Sequence, residues 1–139
     1  MLNKIDEGYE PSKALEQFYG TGNEKVLDFL FTNLGRYLYN YERYGELGLK
    51  FEIIEKGLLI DFLAKGKNYL EQQKDVIVRE LKNQNICEVV KSPEFKNTEK
   101  FVLFINGMIA QPIGVPIAIS MTVAEIIVIY GVEKYCECK

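Results

Sequence analysis

The clearest pattern in the chain is an apolar stripe at helical spacing. Leu27, Leu30, Phe31, Leu34, Leu38 and Tyr41 fall at steps of three and four, while Lys25, Asp28, Thr32, Arg36, Asn40 and Arg43 lie largely on the other side. Side chains that recur every 3.6 residues share one face, so the stripe predicts an amphipathic helix over 23–44. Thr21 followed by Glu24 matches a capping box at its start, and Gly45 and Gly48 mark its end. Before it, the first ten residues are polar and predicted irregular. Pro11 suits the first turn of a short helix carrying Ala14, Leu15, Phe18 and Tyr19, which Gly20 and Gly22 end.

From Leu49 to Val90 the pattern predicts one long helix or two in series. Leu47, Phe51, Ile54, Leu58, Phe62, Leu70, Ile77 and Leu81 can share a face. A rival reading exists over 49–63. Lys50-Phe51-Glu52-Ile53 alternates, and Glu55-Lys56-Gly57 would turn a hairpin into Leu58–Leu63. Helix is preferred, because no period of two survives beyond Gly57. The charged stretch from Lys67 to Asn83 reads as a solvated helical segment. Ser92-Pro93 is a start signal for a helix over 93–110. Pro112, Gly114 and Pro116 then break the chain before a last helix over 116–135.

Residues 101–124 contain no charged side chain, and Ile126 to Tyr130 extends the apolar run past Glu125. Uncharged stretches of about 18 residues or more are candidate membrane spans. Here the prolines cut the run into pieces of about 11 to 14 residues, a length suited to buried core helices. Asn106, Gln111, Ser120, Thr122 and Glu125 add polar groups that lipid disfavours. A soluble core is therefore preferred to membrane insertion of 101–131, with an oligomer or partner interface as a third use of the apolar surface.

The chain has 139 residues, 47% hydrophobic and 27% charged. That is ordinary for one globular domain, and long enough to fold without disulfide or metal. Lys and Arg number 17 against 20 Asp and Glu, a net charge of −3. A basic excess for neutralising phosphates is missing, so nucleic acid is disfavoured as a partner. The three cysteines are Cys87, Cys136 and Cys138. They do not form the even framework of a secreted disulfide scaffold, and the acidic N-terminus lacks a signal-peptide core. The expectation is a cytoplasmic protein in a reducing compartment. Cys136 and Cys138 are expected on a frayed tail over 136–139, not on a metal.

The absence of histidine removes the commonest general base and metal ligand. There is no phosphate-binding glycine loop and no cofactor motif, so no cofactor is expected. Glu125 is the one acid set in the apolar run, a possible buried acid, although the preferred reading puts it at the edge of its helix face. Arg36, Tyr39, Arg43 and Tyr44 form an aromatic-rich possible interaction surface of the kind found at hot spots. Tyr37, Tyr41 and Tyr44 share a face that packing explains, which leaves Tyr39 as the surface candidate.

The sequence thus predicts an all-α fold, a compact bundle of about five helices centred on two hydrophobic C-terminal helices. The expected function is that of a small, non-catalytic interaction protein from a bacterium or phage. It would be an adaptor, inhibitor or immunity-type partner that binds another protein or itself as a homo-oligomer. The alternatives are a membrane-active effector inserting 101–131, and a histidine-free enzyme or ligand-binding domain using acids such as Glu125.

Overall fold

The computed structural model describes residues 2–4, 23–53 and 61–138. Helix α1 spans Asn23–Tyr44, the range that the stripe predicts. A short α2, Glu46–Lys50, follows Gly45, and strand β2, Phe51–Ile53, follows directly. Strand β2 pairs antiparallel with β1, Leu2–Lys4, in the register Leu2↔Ile53, Asn3↔Glu52 and Lys4↔Phe51. Neither the preferred helix nor the rival hairpin over 49–63 anticipates this ladder. The alternation at 50–53 does form a strand, but its partner lies some fifty residues upstream, in a segment expected to be irregular. Local pattern carries no information on so distant a pairing. The short helix after Pro11, the Thr21 capping contact and residues 54–60 lie outside the described residues.

Helix α3, Phe62–Asn83, starts where the Asp61 side chain accepts the Ala64 N–H at 3.0 Å. It buries Gly66, Leu70, Ile77 and Leu81 and turns its charged side to solvent. Asn85, in the left-handed region, separates it from α4, Ile86–Val89. The expected helix at Pro93 begins instead as a 3-10 turn, Pro93–Lys96. Helix α5 spans Thr98–Ile113, with Asn97 rather than Ser92 accepting the capping N–H, from Lys100 at 3.1 Å. Pro112 sits in the last turn of α5, where it forfeits a single intrahelical bond, and Gly114 ends the helix. Helix α6, Ile117–Tyr130, and a four-residue α7, Val132–Tyr135, complete the chain.

Helices thus form almost all of the described structure, and four of them, α1, α3, α5 and α6, have 14 residues or more. Helix α1 packs against α3 and α6, and α5 packs on α6 while touching α3. Its two neighbours bury nearly every α1 side chain from Asn33 to Asn40. Helix α6 is buried over Ala118–Ser120 and Thr122–Ile127, a consequence of its lack of charge outside Glu125. The centre is therefore the α1–α6 pair. Helix α5 lies outside it, with Leu103, Phe104 and Gly107 facing out.

Two glycines set the α1–α3 crossing. A Cβ on Gly35 would overlap the Phe62 carbonyl oxygen, and one on Gly66 would overlap that of Phe31. The two backbones touch there without side chains between them, which only glycine allows.

Candidate functional site

The Arg36, Tyr39, Arg43 and Tyr44 cluster on α1 divides into a buried part and an outer part. Arg36 is half-buried, and its Nη2 donates to Asn33 Oδ1 at 2.7 Å. Tyr39 is not a surface residue. It is 9% exposed, and its ring packs on Phe62 at 5.9 Å between centroids. The exposed Arg43 covers it, with the guanidinium carbon 5.4 Å from the Tyr39 centroid and 5.9 Å from that of Tyr44. The correction has a simple cause. A helix with a single buried face would expose Tyr39, but α1 is flanked by α3 and α6, and the N-terminus of α3 covers Tyr39.

Glu125 is 0% exposed, in the middle of α6. It does not sit at the edge of its helix face as preferred from sequence, since α6 is covered nearly all round. Two neighbouring hydroxyls turn inward onto their own helix: Thr122 donates to the Ala118 carbonyl at 2.8 Å and Ser120 to that of Ile117 at 3.3 Å. Such back-bonding satisfies polar groups in an apolar setting.

A groove of about 720 Å³ lies between α1, α3, α6 and α7. Leu27, Phe31, Leu70, Ile126 and Ile127 make its apolar lining. Three lysines stand on aromatic rings around it: Lys67 over Phe31 at 5.9 Å, Lys74 over Tyr135 at 5.9 Å and Lys134 over Tyr130 at 5.0 Å. Glu24, Asp28, Glu71 and Glu137 alternate with them, and Lys67 reaches Asp28 at 3.7 Å. Opposed charges so close together largely cancel each other's field, so the groove selects no charged ligand by sign. Glu125 does not line it, so this groove offers that acid no chamber for carboxylate chemistry.

The C-terminal segment differs most from expectation. Cys87, on α4, and Cys138 form a disulfide, with 5.5 Å between their Cα atoms. Cys136 is a free thiol, 0% exposed, within the main apolar core beside Val132 and Tyr135. There is no frayed tail over 136–138, and two of the three cysteines are paired, unlike the free thiols expected in a reducing compartment. Spacing alone could not reveal the pair, because α5 and α6 fold between its two halves. Burial pushes the Cys136 thiol upward, partly opposed by the positive charge of Lys82. Burial also pushes the Tyr135 phenol well up, helped by Cys136, Glu71 and Asp75.

The remaining feature is the outer side of α5. Leu103 is 54% exposed, Phe104 37% and Ile117, at the start of α6, 69%. Leu103, Gly107 and Gln111 recur at steps of four along one stripe, and the space beside Gly107 is open. Phe104 stacks on Phe95 of the 3-10 turn at 4.8 Å, and Phe95 on Phe101 at 5.0 Å. No charge lies on this side from Phe101 to Ile117.

No protein-family model, curated protein or solved structure matches this chain. Among the described residues, no group of three or more His, Cys, Asp or Glu could hold a metal ion. Among the same residues, no helix is long and apolar enough to cross a membrane.

Proposed function

We propose that this is a small, non-catalytic interaction protein of the adaptor, inhibitor or immunity type, which self-associates through the outer face of α5. The observation that carries the reading is the exposure of Leu103 and Phe104 on α5 and of Ile117 at the start of α6, within a segment, 101–124, that carries no charged side chain. Exposed apolar side chains of this size favour an interaction site, since burying one of them stabilises by about 1.5–3 kcal/mol. The occupant we assign is a second copy of the chain. An uncharged face meets no like-charge repulsion from itself, and a two-fold axis lays the same residues against each other. The open space beside Gly107 lets a second helix approach closely.

Light scattering coupled to size exclusion tests this in detergent-free buffer. The wild type is expected to run as a dimer that dissociates on dilution. Leu103→Asp combined with Ile117→Asp is expected to run as a monomer. Both sites are exposed, so the double variant should keep its stability to within about 0.5 kcal/mol per site. A wild type that stays monomeric at every concentration overturns the assignment, as does aggregation that lipid vesicles relieve.

A further inference from the structure

We propose that the Cys87–Cys138 disulfide is a redox latch, which holds the segment after Gly131 against the core beside the groove, with its own Cys136 thiol buried. Four observations place it there. Gly131, at φ +114, breaks the chain between α6 and α7, so the last residues leave the core helix at a joint that other residues rarely adopt. Beyond that joint every backbone hydrogen bond is local: Tyr135 N–H donates to the Gly131 carbonyl, Cys136 N–H to that of Val132 and Cys138 N–H to that of Glu133. Among the described residues, none of these backbone groups bonds to another helix, so the disulfide is the segment's covalent tie to α4, beside the Lys74 contact on the Tyr135 ring.

The third observation is a difference in access. Cys87 and Cys138 are half-buried, whereas Cys136, on the same segment, is fully buried in the core. The latch thus has a partly exposed bond and a shielded free thiol. The fourth is position: Lys134, Tyr135 and Glu137 are a wall of the groove. Opening is a two-electron exchange. A dithiol gives up two electrons and two protons and becomes a cyclic disulfide, while Cys87 and Cys138 each gain a hydrogen on sulfur. What then holds the segment is the packing of Val132, Tyr135 and Cys136 and the contact of Lys74 with the Tyr135 ring. The Tyr135 hydroxyl, buried and without a hydrogen-bond partner among the described residues, works against that packing.

The test compares oxidised wild type with the same protein in dithiothreitol and with the Cys87→Ser/Cys138→Ser variant. Alkylation of Cys136 by iodoacetamide and hydrogen exchange are both read by mass spectrometry on the full chain. In the open state, Cys136 alkylation and exchange over 131–138 are expected to rise roughly tenfold or more, with α1 and α3 changing by less than about twofold, the signature of local opening. A change at Cys136 below about twofold overturns the latch and makes the bond a passive cross-link. Uniform acceleration across all helices also overturns it, because the bond would then be a staple of the whole fold. If the double-serine variant fails to fold, the reduced wild type decides by the same criteria, and its unfolding counts with the second overturning result.

Discussion

Gly66 of α3 lies against Gly35 of α1 so closely that a Cβ on Gly66 would stand 3.2 Å from the Gly35 amide nitrogen. The same Cβ would be 2.9 Å from the Phe31 carbonyl carbon, and one on Gly35 would be 2.7 Å from that of Phe62. Neighbouring atoms there are main chain and cannot swing aside.

Two effects oppose each other when alanine replaces these glycines. A helix gains about 1 kcal/mol from Gly→Ala. Overpacking against fixed atoms costs about 1–3 kcal/mol and sometimes more. With backbone overlaps on this scale, the clash prevails. Gly35→Ala and Gly66→Ala are each expected to lower stability by about 2 kcal/mol or more. Gly107→Ala, with nothing within 4 Å, is expected to raise it by up to about 1 kcal/mol. Urea midpoints at constant m decide the matter, and a stabilising Gly66→Ala would refute the crossing.

Helix starts offer a milder test. Asp61 caps α3 and Asn97 caps α5 through side-chain oxygens. Replacing either by alanine should cost about 1 kcal/mol. An Asn97→Ala protein with an unchanged midpoint in thermal unfolding would show that Asn97 does not hold the start of α5.

Tyr39 separates a surface role from a packing role. Its burial against Phe62 predicts that Tyr39→Ala lowers stability by about 3 kcal/mol, as other large aromatic truncations do. Arg43→Ala, on the exposed side of the same ring, should cost less than about 1 kcal/mol. A Tyr39→Ala protein with an unchanged unfolding midpoint would return Tyr39 to the surface.

Alkaline pH probes the C-terminal core. Tyr135 and Cys136 both hold their protons more tightly when folded than at their ordinary values of 10.0 and 9.0. Below those values the folded and unfolded chains are equally protonated at these sites, so stability does not vary with pH on their account. As pH climbs through 9.0 and then 10.0, the unfolded chain ionises first and is favoured, so stability falls. Tyr135→Phe should flatten the fall above pH 10.0, and it removes at little cost a buried hydroxyl that has no hydrogen-bond partner among the described residues. Equal slopes for wild type and variant in pH-dependent denaturation would contradict the burial of this phenol.

What the sequence made legible follows the range of the forces involved. The α1 boundaries could be read because the period of Leu27 to Tyr41 and the glycines beyond it are local signals. So could the break around Pro112 and Gly114. The β1–β2 ladder and the Cys87–Cys138 bond could not, because each joins residues about fifty positions apart and leaves no periodic trace. The surface position expected of Tyr39 and the edge position preferred for Glu125 fail for a related reason, while the alternative of a buried acid at Glu125 holds. Periodicity finds a helix's main apolar face, but it does not count how many neighbours the helix has. Gly35 and Gly66 carried a usable signal, glycines within otherwise strong helix patterns, whose meaning appears once the two helices cross.

The disulfide also decides how the molecule bears a mechanical load. Cys87 and Cys138 are 51 positions apart, and α5 and α6 lie wholly between them. Tension entering before Cys87 and leaving after Cys138 passes through the sulfur–sulfur bond and bypasses both helices. The contour of the whole loop between the two cysteines, roughly 170–180 Å if fully extended, stays out of reach of the pull until the bond is reduced. Oxidised, the chain would yield in the part before Cys87, with α1 and α3 its long helices among the described residues, and the most apolar part of its core would remain slack.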